Sequence, residues 1–222
     1  MTYSTLDGLR TSKLNNALGL SADGDTYFGS TSLRNLALQD ACARLWPEMA
    51  RLTRETDIAI AQDQTAFTLS AIRDVISVTV FDEDGEPVKE LTNFRQWVDE
   101  AADPPTVRLE FANQPSATTD TLTVMGYAPY TVPSSGSSSF DIEPRFEHIL
   151  IQGALAYVYR WRLNQFMDFE RHQNENRTNA VTAETLMRME ATHHERFLGL
   201  VDQHKRSFRG GRNASLRYGG RS

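Results

Sequence analysis

The residues of this chain that could do chemistry are few and scattered. Serine is densest in Pro-Ser-Ser-Gly-Ser-Ser-Ser at 133–139, but no Gly-x-Ser-x-Gly elbow occurs, and no strand leads into this run to present a nucleophile. The pairs Gly210-Gly211 and Gly219-Gly220 lack the strand–loop–helix setting of a phosphate-cradling loop. In Asp82-Glu83-Asp84-Gly85-Glu86 the glycine comes fourth and Asn93 twelfth, where a calcium loop needs glycine sixth and a bidentate glutamate twelfth, so the run is read as a hairpin turn. His193 and His194 are adjacent and point about 100° apart on a helix. Glu190 precedes His193 by three residues, yet no His-Glu-x-x-His pattern forms, and a structural role is expected. Cys42 has no neighbouring cation to activate it and is expected to be a buried, inert thiol. The expectation is a protein that is not an enzyme, with no metal and no cofactor.

Two groups suggest binding instead. The chain ends in a basic segment with Lys205, Arg206, Arg209, Arg212, Arg217 and Arg221 and no acid, interleaved with the apolar Phe208, Leu216 and Tyr218. Its Arg-Gly-Gly character fits contact with nucleic acid, with the aromatic residues free to stack; its apolar anchors equally fit docking on a protein. The second group, Tyr157, Tyr159, Trp161, Phe166 and Phe169, surrounds one helix rather than lining one stripe, which predicts burial on more than one face, by core packing or by a subunit contact.

The elements that must carry these groups are legible from periodicity. Residues 1–30 have no sustained period and are read as an arm, disordered alone or folding on a neighbour. After Ser30-Thr31-Ser32, Leu33, Leu36, Ala37, Ala41, Leu45, Met49 and Leu52 recur at helical steps, and Pro47 is expected to kink or end the helix near Trp46. From Thr56 the period shortens: Ile58 and Ile60, Phe67 and Leu69, Val75–Phe81, Val107 to Phe111, and Leu122 to Gly126 predict roughly five antiparallel strands. Phe94, Trp97, Val98 and Ala101 have helical spacing, so a short helix or turn is expected inside the sheet. The serine run at 133–139 reads as a flexible connector. Pro144 then opens a helix whose face runs through Phe146, Ile149, Leu150, Gly153, Ala154, Tyr157 and Trp161. A polar loop is expected over His172–Thr178, with Thr182 capping a last helix along Leu186, Met189, His193, Phe197, Leu200 and His204. The fold class is α+β: a helical bundle (31–55 and 142–208) of one N-terminal helix plus a C-terminal αα-hairpin. An antiparallel β-domain (56–133) is inserted in it, with flexible terminal arms at 1–30 and 209–222.

Charge sharpens this picture. The chain has 222 residues and a net charge of -6; setting aside the six basic residues from Lys205 onward leaves 17 basic against 29 acidic. An acidic body of this kind excludes a broad DNA-binding face, whereas its basic tail calls for an acidic partner. The first thirty residues lack a basic n-region followed by an apolar run, and nowhere are 18 consecutive residues apolar, so a soluble intracellular protein with no membrane partner is expected.

In layout and local phrases the chain resembles the head-to-tail connector (adaptor, or gatekeeper) proteins of tailed bacteriophages over about residues 31–208. The likeness lies in the opening helix Leu33–Pro47 with its Trp-Pro end, in Ile72-Arg73-Asp74-Val75, and in Trp97 and Pro105-Thr106. It continues in Pro144-Arg145-Phe146-Glu147 with the small pair Gly153-Ala154, and in the charged helix Glu184–Arg206. The resemblance implies a virion neck protein, present in the host cytoplasm before assembly, that forms a homo-oligomeric ring, usually of twelve copies, beneath the portal. That ring would extend the DNA channel, pass DNA without specific binding, and receive the tail or the next neck ring. It also implies that the segment from Lys205 onward docks on the portal protein. The long N-terminal arm is not part of that pattern. The competing reading is a nucleic-acid-binding accessory protein that uses its Arg/Gly tail.

Overall fold

The computed structural model describes residues 3–20, 24–99, 106–172 (the backbone alone for 167–172) and 183–205. The chain divides into two compact units. One, helical, is built from the described residues up to Met49 together with those from Tyr130 to Lys205; the other is the β-unit Ala50–Pro129.

In the helical unit α3 (Thr31–Ala43) starts where the capping residues place it. Ser30 is extended and its hydroxyl accepts from the Leu33 amide, satisfying one of the helix's orphan donors. The helix stops at Ala43, short of Trp46-Pro47, and turns carry Leu45 and Met49 into the core. α4 (Glu147–His172) follows a short 3-10 turn that has Pro144 at its first position, and α5 (Ala183–His204) packs back on it. His172 is still helical, and the expected loop beyond it and the Thr182 cap lie outside the described residues.

The N-terminal arm is a correction. Leu6–Leu9 (α1), a π-helical turn Arg10–Leu14 and Asn15–Ala17 (α2) run on as one stretch, and Leu6, Leu9, Leu14 and Leu18 are buried in the helical core. These leucines are three, five and four residues apart. The π turn takes up the five-residue step that breaks an α-helical period, so the sequence looked aperiodic. The serine connector is a second correction, because it is tied to this same stretch. The Ser138 and Gly136 carbonyls accept from the Leu6 and Asp7 amides at 3.0 and 2.9 Å, and the Phe140 amide donates to the Ser4 carbonyl at 3.1 Å. Two segments that each looked flexible satisfy one another's backbone groups, including the first-turn donors that a helix cannot pair internally.

Among the described residues the β-unit has seven strands: β1 (Arg51–Ala59), β2 (Ala66–Leu69), β3 (Asp74–Phe81), β4 (Pro87–Leu91), β5 (Phe94–Asp99), β6 (Thr106–Phe111) and β7 (Thr121–Ala128). All pairings are antiparallel, in a four-stranded sheet of order β1-β7-β3-β4 and a three-stranded sheet of order β2-β6-β5. The inward positions of β2, β3, β6 and β7, from Phe67 and Leu69 to Leu122 and Val124, form one core between them. The acidic run is a hairpin turn: Asp82 Oδ1 accepts from the Asp84 and Glu86 amides, and Gly85 takes the left-handed conformation at φ 79°.

Three expectations change here. Residues 51–55 belong to β1 and not to the first helix, because Arg51 to Glu55 pair in register with Ala128 to Val124. The unit ends at Pro129 rather than 133. The segment with helical spacing is strand β5, paired with β6 along its whole length. Phe94 packs on Phe111 and the Trp97 indole donates to Glu110, contacts that only the extended form makes. Gln96 works as a corner piece. β4 leaves β3 beyond Val78, and the Gln96 side chain then accepts from the Val75 amide and donates to the Arg73 carbonyl at 3.1 and 3.0 Å, standing in for the missing strand.

Candidate functional site

The expected aromatic group stands on α4, and Lys205, the described residue of the basic segment, follows α5. The helices run antiparallel, with contacts from Phe146–His204 through Gln152–His193 to Arg160–Glu190. Their approach to α3 depends on Gly153. A Cβ there would lie 2.8 Å from Ala41 Cβ and 3.0 Å from the Phe197 ring, so only hydrogen fits where three helices meet.

The aromatic group of α4 is divided by the fold. Tyr159 is buried within the chain, between Phe28 edge-on at 5.3 Å and the His193 ring stacked on it at 5.4 Å. Burial raises its phenol pKa. Tyr157 and Phe166 are half-buried against the helical core, Trp161 is half-exposed, and Phe169 lies outside the described residues. His193 has the structural role expected of it: its Nδ1 is 2.8 Å from Gln152 Oε1, and burial, then the nearby Arg196, lowers its pKa. Glu190 does not face it as a metal partner but binds the Arg160 guanidinium.

Of the basic segment, Lys205 follows the end of α5, exposed and 2.5 Å from Asp202. Arg206, Phe208, Arg209, Arg212, Leu216, Arg217, Tyr218 and Arg221 lie outside the described residues. The fold therefore brings Tyr157, Tyr159, Trp161 and Phe166 onto one helix and leads α5 directly into the tail.

Several residues that organise this unit were not legible as such. Arg34 is fully buried, and its guanidinium donates to the Asp25 and Gly29 carbonyls at 2.7 and 2.6 Å, holding the loop whose Phe28 and Tyr27 cover Tyr159 and Arg162. Arg10, also buried, binds Asp7 and Asn35. Glu147, buried at the start of α4, takes Lys13 of the N-terminal stretch at 2.5 Å. In the sequence each is an ordinary charged residue, and partners of each lie in segments without a period: the N-terminal stretch for Arg10 and Glu147, the loop at 25–29 for Arg34.

Burial, and next the charge of Asp141, pushes the Cys42 thiol up to about 12, which leaves it protonated and unreactive. Among the described residues no three His, Cys, Asp or Glu side chains are placed to hold a metal ion, and no helix is long and apolar enough to cross a membrane.

No family model matches the chain, and no curated protein sequence does. Among solved structures it is similar to a chain described as "Neck of native GTA particle computed with C12 symmetry", at 15% identity and a TM-score of 0.31 over 100% of both chains, an overlap that does not by itself establish a shared fold.

Proposed function

We propose that this chain is a non-enzymatic structural protein of a phage-like virion neck, an adaptor that assembles as a ring beneath the portal and receives the tail or the next neck ring. The observation that carries the reading is the construction of the helical unit. α3 and the pair α4–α5 close one core although the whole β-unit lies between them in sequence. That is the layout of the connectors which the chain resembles in its sequence phrases. In this reading copies meet around the ring, usually twelve in that family, through half-exposed residues of α4 such as Trp161. The basic segment from Lys205 onward docks on the portal protein, and the acidic body lets DNA pass without holding it.

The test mixes the full chain with the portal of the same particle and weighs the products by native mass spectrometry. A ring on the portal, lost when residues 206–222 are deleted, supports the proposal. Absence of any ring, or docking unchanged by the deletion, overturns it. DNA affinity that falls steeply with salt and vanishes with the tail would favour the nucleic-acid-binding alternative.

A further inference from the structure

Where α4 and α5 face each other, one side chain makes a polar and a ring contact at once. His193 of α5 sets its Nδ1 2.8 Å from Gln152 Oε1, and its ring lies parallel to that of Tyr159, 5.4 Å away at an interplanar angle of 5°. Tyr159 is met edge-on by Phe28 at 5.3 Å, and Phe28 belongs to the 25–29 loop whose carbonyls Arg34 holds. His193 thus joins three segments: α4, α5 and the loop ahead of α3. It is buried, as is Tyr159.

The geometry decides which form of the ring the site accepts. An amide oxygen only accepts, so Nδ1 carries the proton toward Gln152 and the neutral ring keeps a lone pair on Nε2. Nε2 has no hydrogen-bond partner among the described residues. A second proton would go on Nε2 and turn a satisfied neutral ring into a buried cation with an unpaired N–H.

The charges around the ring do not compensate. On α5, Arg196 adds a like charge, and Glu190, one turn earlier, is engaged by Arg160 of α4. His194, next in the chain, diverges by about 100°. α4 presents the neutral Gln152 and the phenol of Tyr159, which burial and then Tyr27 keep protonated. In the loop, Asp25 caps the Tyr27 amide, and the Tyr27 ring packs on Phe28 beneath the Arg162 guanidinium. Burial first, then Arg196, accordingly hold the His193 pKa below the ordinary imidazole value.

We propose that His193 is an acid-sensitive latch of the helical unit: as a neutral ring it keeps α5 and the 25–29 loop closed on α4, and as an imidazolium it leaves Tyr159 and opens both. The direction follows from proton balance. A released ring takes a proton as pH falls through the ordinary value of about 6.5, whereas a latched one resists, so acid favours the open form. The effect stops growing below the lower pKa of the latched ring. The latch lies within the helical unit and needs neither ring nor portal, so its test is separate from that of the neck reading.

The experiment is hydrogen exchange of the full chain, read by mass spectrometry at about pH 5 and about pH 7.5 and corrected for the intrinsic rate. Peptides covering residues 25–29 and 186–201 are expected to lose about tenfold protection in acid, the equivalent of one pKa unit, while β7 does not change. His193→Phe keeps a ring on Tyr159 without a titrating nitrogen and is expected to erase the difference. Arg196→Glu supplies an anion beside the imidazole and is expected to shrink it, which a merely structural histidine would not do. His194→Gln is expected to retain it. Wild-type protection that ignores pH overturns the proposal, as does an acid loss that persists in His193→Phe or one that His194→Gln removes. If circular dichroism shows that His193→Phe does not fold, Arg196→Glu decides, and an undiminished acid loss there overturns the latch.

Discussion

Gly153 and Glu55 are each held by contacts close enough that one substitution reads out the packing. At Gly153, alanine places a methyl group 2.8 Å from Ala41, and valine adds two more carbons against Phe197. Gly153→Ala is expected to lower stability by about 1 kcal/mol and Gly153→Val by about 3 kcal/mol, despite the better helix propensity of alanine. Denaturant midpoints measure both, and a stabilised alanine variant would refute the close approach. The Glu55 carboxylate accepts from three successive amides, Ser70, Ala71 and Ile72, where β2 turns into β3. Burial works to raise its pKa, but the bonds from Ile72, Ala71 and Ser70 outweigh it and hold the carboxyl below the ordinary glutamate value. Its contribution is therefore present above the unfolded pKa and lost as pH falls through the lower folded one. Glu55→Gln is expected to cost about 1 kcal/mol at neutral pH, limited by partial exposure, and the difference from wild type should shrink in acid. Melting both proteins across pH 3–7, a range of about four units around the ordinary carboxylate value, checks the sign.

At the scale of elements, the N-terminal stretch is a structural helix rather than an arm. Leu9 is fully buried in the core shared by α3 and α4, so Leu9→Ala is expected to cost about 2–5 kcal/mol, as for other core leucines. A neutral effect in urea titration would return this segment to the status of a loose arm. The helices α3, α4 and α5 were legible because long apolar stripes at three- and four-residue steps have one solution. β5 was not. Phe94, Trp97 and Val98 satisfy a helical spacing as well as an alternating one, and what decides is pairing with β6, which is invisible to any local window.

At the scale of the whole molecule, the β-unit is an insertion whose ends return to one another. Arg51 pairs with Ala128 beside its entry and exit, so its termini are neighbours in the first rungs of an antiparallel ladder. Replacing Ala50–Pro129 by a short Gly-Ser linker is expected to leave the helical unit folded, with cooperative thermal unfolding and undiminished helical circular dichroism per residue of that unit. Loss of cooperativity would mean that the helical unit depends on its insertion. The candidate binding groups were only partly legible. The aromatic residues of α4 stand out in the sequence, but Tyr159 is consumed by Phe28 and His193 of its own chain. Nothing local marks β5 as the last strand of its sheet among the described residues until the sheet order is known.

The amino-acid sequence alone determined the α+β class, the order of helix, β-unit and helical pair, the hairpin at Asp82–Gly85, and the separation of an acidic body from a basic tail. These follow from periodicity, turn chemistry and charge, all of which are local. Tertiary structure decided the rest: that residues 6–18 form a wall of the core, that a serine-rich connector supplies the backbone partners of the first helix, and that β5 is a strand paired with β6. Each of these depends on a hydrogen-bond or packing partner far away in the chain, and no short-range pattern records which distant segment will provide it.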